Sequence, residues 1–570
     1  MLRGDVSLKL GLIGAGVLLL SLAAVPAVEE TAGSVVHVGT FGARPDDGKD
    51  DAPAMRAAIA EAQKRGVRVI RLAAGRYDLF PPERKAGKPP YLRFDRFHGL
   101  TVEGATNTVG LPATRLVRHH DPLDTNNPPS LVWFQDCDAL TVRNLTFDNA
   151  PQYTTAGRVV KVAPNSVEVE ILPGLPRIDG TVCYCANVWD LATRRLKHQP
   201  SVTFGDDVDG RRAELTWRSV GGPESRRMRL DSAYVASKVR VGDGLSWHFG
   251  WRGLQVVFKD CDDLRLENLR TVNAIGFAMI ASRCRNISAD RIRIEPEGNQ
   301  LAVGSRDGWK LYAGHGTVEI KNMHIEGVRW DGQNVHGSFL RVDQRLDHRT
   351  VLARKQFFED PPIPPGTEIA FWNGAEEQSL RVTSAEVVRR AGRQVFYQIQ
   401  FATPLPAFVA PETVASVFAW DIENYTLRDC SFEKIAGCAS ILRNRNVTFE
   451  RCRFDNIMYP AVQIGASVTE GEGTFPQHVV LRECEFRDSG WEARQKSRGM
   501  IGIRTGGSEL PFMRDILVEN CAFIDAERGL DVAGASNVVV RGNRFERVRE
   551  PWRVDRKSTR AVNFEGNRTK

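Results

Sequence analysis

The chain has 570 residues, 26% of them charged, with 77 Lys and Arg against 70 Asp and Glu for a formal charge of +7. That length is several domains' worth of residues, and cations alternate with anions along the polar segments instead of clustering, which argues against nucleic-acid binding. Of the ten cysteines none belongs to a Cys/His cluster at zinc-ligand spacing, so neither a metal nor a cofactor is expected.

Arg3 and Lys9 precede an apolar run from Leu10 to Ala24, followed by Val25, Pro26 and Ala27. This is the pattern of a signal peptide (residues 1–27), cleaved after Ala27, which predicts a periplasmic or secreted protein. The run falls short of the ~20 residues that span a bilayer, and no later stretch reaches that length, so no membrane contact is expected after cleavage. Asp50 and Asp51 are then expected to cap a helix whose Met55, Ile59 and Ala62 share one face, with Gly66 as a left-handed stop. The helix is suited to sealing the end of a solenoid and leads into the strand Val67, Val69, Ile70 and Leu72.

The solenoid itself is announced by a six-residue phrase, apolar at both ends: VRNLTF from 142, IKNMHI from 320, LRDCSF from 427, FERCRF from 449, LRECEF from 481, VENCAF from 518 and VRGNRF from 540. Its terminal phenylalanines keep one spacing, from 432 to 454 and again from 523 to 545. That spacing, about 22 residues, makes one turn of three short strands, and turns stacked about 4.8 Å apart pair each strand with its copies above and below. The expected fold is all-β, a right-handed parallel β-helix. Cys430, Cys452, Cys484 and Cys521 recur at one position of successive turns, where other turns carry Leu145, Leu269, Ile292 and Met323, so they should form an inward column of small apolar side chains instead of disulfides.

The rhythm is broken twice. The cap and first coils occupy 28–150, but 151–249 shows the period-2 alternation and turn residues of an inserted antiparallel β domain. Coils return over 250–340, a second inserted β domain fills 341–418, and coils run from 419 to 570. Both insertions leave the helix and return to it, so they should wall a cleft on one face.

Two Asp-Gly steps lie in the middle coils, Asp307-Gly308 and Asp331-Gly332, separated by close to one turn of the repeat. Their carboxylates should be neighbours on one face, and two close carboxylates divide into one protonated and one ionised group, as glycoside hydrolysis requires. Asp-Gly is also a common turn former, and spacing alone leaves that reading open. Arg306, Lys310, Asn334 and His336 cluster around the pair at the foot of the second insertion, with the character of sugar-hydroxyl ligands. Trp309 and Trp330 could supply a platform for a pyranose ring or pack in the core.

With these residues in view, the chain resembles glycoside hydrolase family 110 and its relatives in the pectate-lyase-like superfamily. The resemblance rests on FGARPDDGKDDAPAMRAAIAEA at 41–62, on NVHG at 334–337 after the second Asp-Gly step, and on YPAVQIGASVTEGEG at 459–473. It implies an inverting, exo-acting α-galactosidase without a metal, with Asp307 as general acid, Asp331 as the residue activating water, and Glu470 facing the glycan. The family has consecutive aspartates where this chain has Trp330-Asp331. Two other functions stay open to the sequence: a polysaccharide lyase using a base such as Lys310, and a non-catalytic glycan-binding β-helix. A carbohydrate is the expected partner, and the sequence leaves the oligomeric state open.

Overall fold

The computed structural model describes residues 35–81, 89–124, 128–199, 215–355, 361–373, 376–392, 394–494, 496–508 and 510–570. The leader at 1–27 lies outside the described residues. The chain winds into a right-handed parallel β-helix whose strands join one 31-stranded parallel array. Register is kept coil after coil: Phe432 lies over Phe454, Phe454 over Phe486, Phe486 over Phe523 and Phe523 over Phe545. These rings stack inside the cylinder with centroids 5.2, 4.8, 5.0 and 4.7 Å apart. The stack is the physical counterpart of the sequence period, since each ring covers the face of the next and both are dry.

From its second copy onward the six-residue phrase spans the end of one short strand and the start of another, as in Asn424–Arg428 and Ser431–Ile435. Its third residue adopts the left-handed conformation in every copy: Asn144, Asn322, Asp429, Arg451, Glu483 and Asn520 at φ between 52° and 60°, and Gly542 at 65°. Asn, Asp and Gly tolerate that corner best, which explains their frequency there. The next residue turns inward, and Cys430, Cys452, Cys484 and Cys521 are buried in the core as free thiols. Asn543 ends the column; its side chain accepts the Cys521 N–H and donates to the Val518 carbonyl.

A helix over Ala52–Arg65 closes the N-terminal end, burying Met55, Ala58, Ile59 and Ala62 on the first coil, and Gly66 ends it at φ 64°. Asp51 occupies the position before the helix, but its side chain does not cap it. One carboxylate oxygen takes the Arg44 N–H at 2.8 Å and the other the Asp78 N–H at 3.2 Å. Asp50 accepts the Ala52 N–H and the Phe80 N–H, both at 3.0 Å. The expectation of two caps is thus corrected for Asp51: it ties the opening loop to the strand Gly75–Leu79, where unpaired backbone donors would otherwise be buried.

Both interruptions fold as antiparallel units. The first forms a seven-stranded sheet from Thr154–Ala163 to Gly244–His248, with its own core around the stacked Trp217 and Trp247, 4.1 Å apart. It rests on the outer face of the helix through Ile275, Leu301, Ala436 and Met458. Arg195 clamps it there, bonding Asp455 and Asp488 at 2.7 Å each. The second runs from Phe339–Arg345 to Val414–Val417 and closes into a six-stranded barrel.

Truncating one ring in the middle of the phenylalanine stack should be costly. Phe454→Ala is expected to lose roughly 3–5 kcal/mol in urea denaturation, because fixed coils above and below prevent the cavity from collapsing.

Candidate active site

The strand Trp309–Tyr312 lies over Gln333–His336, which lies over Ser440–Arg443, with Lys310 above Asn334 and His336 above Arg443. Along these strands, residues alternate between the interior and the outer face. Trp309, Leu311 and Val335 point inward and belong to the coil core. Trp309 is fully buried there, so it is no platform for a sugar; the indole fills the cylinder. Lys310, Asn334 and His336 take the opposite face, beneath the two inserted domains.

Just before these strands, the Gly308 N–H bonds the Asp331 carbonyl at 2.8 Å, and the Gly332 N–H bonds the Cys438 carbonyl at 2.8 Å. Asp307 therefore sits over Asp331, one coil apart, and both are buried, at 1% and 0% exposure. Asp331 reaches away from Asp307 toward the following coil. Its Oδ1 accepts the Cys438 N–H at 2.9 Å, and its Oδ2 lies 3.4 Å from the Arg494 guanidinium. Burial pushes the Asp331 carboxyl up to about 6, the neighbouring Asp307 adds to the rise, and Arg494, the Cys438 N–H and Arg443 oppose it. Asp307 Oδ1 has no hydrogen-bond partner among the described residues.

The surroundings are polar and only partly satisfied. Asn334 Oδ1 and Arg306 Nε are also buried without a partner. The half-buried Arg306 lies over Trp251, 4.3 Å from the ring centre, and over Phe277 at 4.6 Å. Burial, reinforced by Arg306 and Arg443, pushes the half-buried Lys310 down to about 8 against the pull of Asp307 and Asp331. Trp330 is half-buried, its ring lying 4.9 Å from the Arg329 guanidinium and 4.8 Å from that of Arg494. Buried polar groups of this density need partners, which water or a hydroxylated ligand is suited to provide.

His336 and Glu470 depart from their expected places. The His336 side chain is fully buried; its Nδ1 lies 2.7 Å from the Gly337 carbonyl and its Nε2 lies 3.7 Å from Glu472. Burial, then Lys310 and Arg443, hold it well below its ordinary value, so it is neutral. Glu472 also pairs with Arg443, making His336 a support for that ion pair in place of a free sugar ligand. Glu470, two residues earlier, has a largely exposed side chain 3.6 Å from Arg443 and borders a separate cavity of about 480 Å³ with Ser467, Thr469, Lys496 and Arg504. Sequence reasoning missed Arg443, Glu472 and Arg494. Arg443 alone had a signal, its place one coil on from His336; Glu472 and Arg494 arrive on irregular loops, which no period predicts.

Comparison with known proteins gives three kinds of likeness. The family model described as a right handed beta helix region matches residues 415–569. The chain is 25% identical over 425 residues to alpha-1,3-galactosidase B of Phocaeicola vulgatus, covering 67% of this chain and 66% of that protein, just under two thirds of its length. It is 21% identical over 539 residues to alpha-1,3-galactosidase A of Bacteroides fragilis, covering 86% and 83%, and 21% identical over 569 residues to alpha-1,3-galactosidase A of Shewanella woodyi, covering 92% and 89%. Among solved structures it is similar to an exopolygalacturonase of Thermotoga maritima, at 12% identity and TM-score 0.42 over 94% of this chain and 93% of that one.

The two aspartates should differ when neutralised. Burial disfavours the ionised form of Asp331, so Asp331→Asn is expected to gain stability at pH 7 despite losing the contact with the half-buried Arg494, whereas Asp307→Asn should change stability little. Folded Asp331 keeps its proton to about pH 6 while an ordinary aspartate releases it near 3.8. Its contribution to stability therefore falls as pH rises between those values, and urea titrations of Asp331→Asn should lack that slope.

Proposed function

We propose that this protein is a glycoside hydrolase, exo-acting and inverting, that cleaves α-galactoside-type linkages of a glycan. The observation that carries the reading is the stacked pair Asp307 and Asp331, buried among polar groups that lack partners among the described residues. Relatives named alpha-1,3-galactosidase, matched over most of the chain, support the same chemistry. Asp307, as the acid, gives its proton to the glycosidic oxygen as the bond to the anomeric carbon breaks. Asp331 takes a proton from a water that attacks that carbon from the other side. Carboxyls on directly stacked residues start about 5 Å apart, and inversion requires roughly 6.5–9.5 Å. The bonds from Asp331 to Cys438 and Arg494 draw its carboxyl away from Asp307, the direction that makes room for water. Asn334 and Lys310 would bind ring hydroxyls, and Trp330 would lie beside the sugar with the Arg329 and Arg494 guanidiniums against its ring.

A second reading has one observation in its favour. Lys310, pushed down to about 8, is a better base than an ordinary lysine and could abstract a proton in a uronate lyase. An unsaturated, ultraviolet-absorbing product would establish that reaction instead.

Export through the leader at 1–27 belongs to the same proposal, and the N-terminal sequence of protein recovered outside the cytoplasm should begin after Ala27. On aryl α-galactosides, Asp307→Asn and Asp331→Asn should each reduce kcat by at least a thousandfold, and NMR of the first product should show the β anomer. Hydrolysis should rise with pH through about 6 as Asp331 ionises. Full activity of either variant would remove the assignment.

A further inference from the structure

The offset between the two site coils is constant: Gly304 bridges Val328, and Trp309 pairs with Gln333. Ser305 therefore lies over Arg329, Arg306 over Trp330 and Asp307 over Asp331. Arg329 is two residues from Asp331, across a bend at Arg329 and Trp330, so their Cα atoms are at most about 7 Å apart, roughly the width of one sugar ring.

Arg329 is 2% exposed, and its Nε and Nη1 have no partner. Among the described residues no carboxylate lies within hydrogen-bonding reach of it, and its close contact is the Trp330 ring. Arg443, whose Nη1 and Nη2 also lack a hydrogen bond, and Arg118 are buried as deeply, but each has a partner of a kind that Arg329 lacks among the described residues. Arg443 is paired with Glu472, and Arg118 donates to Asn149, to the Pro129 carbonyl and to Gln255. An uncompensated buried cation is strongly unfavourable unless something else neutralises it.

The groups beside Arg329 are suited to donation. Among the described residues Ser305 Oγ is buried without a partner, and neither ring nitrogen of the buried His248 has one. His248, on the last strand of the first insertion, is pushed down to about 3 by burial and then by Arg329, so it stays neutral and offers one N–H. A guanidinium with no carboxylate to pair it, beside an imidazole N–H and a hydroxyl that can donate, is suited to an anionic ligand.

We propose that Arg329, with Ser305 and His248, binds an anionic substituent, a carboxylate or a sulfate ester, on the sugar whose glycosidic bond lies between Asp307 and Asp331. The substrate is then an acidic glycan, and Arg329 determines that specificity. The position of the bond rests on the hydrolase reading; the anion site rests on Arg329.

The test is calorimetric titration of the Asp307→Asn protein with D-galactose, D-galacturonic acid, its methyl ester and galactose 6-sulfate. At least one acidic sugar should bind ten times tighter than galactose and than the uncharged ester, and whichever acid binds tighter identifies carboxylate or sulfate. Arg329→Gln should abolish the preference and Arg329→Lys should keep part of it. Equal binding of acids and neutral sugars, no binding at all, or a preference that survives Arg329→Gln overturns the proposal. The acid-against-ester comparison decides even where an Arg329 variant fails to fold. A preference for acids in a wild-type protein that hydrolyses no glycoside would sink the hydrolase reading and leave the anion site standing.

Discussion

Everything in this molecule depends on one register, the parallel pairing that sets each residue over the residue one coil away. It builds the phenylalanine stack inside, the thiol column beside it and the ladder of Lys310 over Asn334 outside. In an antiparallel sheet a tight hairpin brings side chains together; here a full turn of chain separates Asp307 from Asp331, and backbone hydrogen bonds alone make them neighbours. Like charges so placed repel, and the scaffold must hold them against that repulsion. The continuous hydrogen-bonded wall and the dry interior behind it supply the rigidity, which is why chemistry of this kind suits a β-helix better than a loop.

The inserted domains turn an exposed ladder into a buried site. Without them the outer face of a coil is solvated, and Asp331 would lose the burial that pushes its carboxyl up. The first insertion brings His248 close to Arg329 and Trp251 over Arg306; beyond the second, the loop carrying Glu472 reaches Arg443. Burial then becomes the dominant influence on Asp331, Lys310 and His336 alike. The direction follows from the charge lost: the acid rises and the bases fall, which narrows the gap between them and favours proton transfer near neutrality.

What the sequence reveals here follows from what repeats. The phenylalanine and cysteine positions, the capping helix with Met55 and Ile59 inward, and the one-turn step between the Asp-Gly pairs are all periodic, and periodicity survives in one dimension. Trp309 is decidable too, because WKLY alternates and places Trp309 with Leu311 on one side and Lys310 with Tyr312 on the other. The left-handed corner within the phrase is hidden by tolerance: Arg451 and Glu483 adopt it as Asn520 does, so composition blurs the signal. Asp51 misleads for a related reason, since an aspartate before a helix has the same sequence whether it caps the helix or reaches across to Arg44 and Asp78. Arg494 and Glu472 are illegible because irregular loops carry no period, and only the folded chain shows that they end at Asp331 and Arg443.

The charge balance of the site ties these strands together. Arg494 is matched by Asp331 and Arg443 by Glu472, each pair with an acid of this chain. Arg329 and the half-buried Arg306 have no acid partner among the described residues, and Arg329, the deeper of the two, lies beside Trp330, a ring that can lie against a cation without neutralising it. The fold has no structural need for a deeply buried guanidinium with no acid beside it, since a buried methionine or leucine would cost less. A charge kept under those terms is best explained by a partner that comes and goes, and beside two carboxylates poised around a glycosidic bond the partner with that property is the substrate itself.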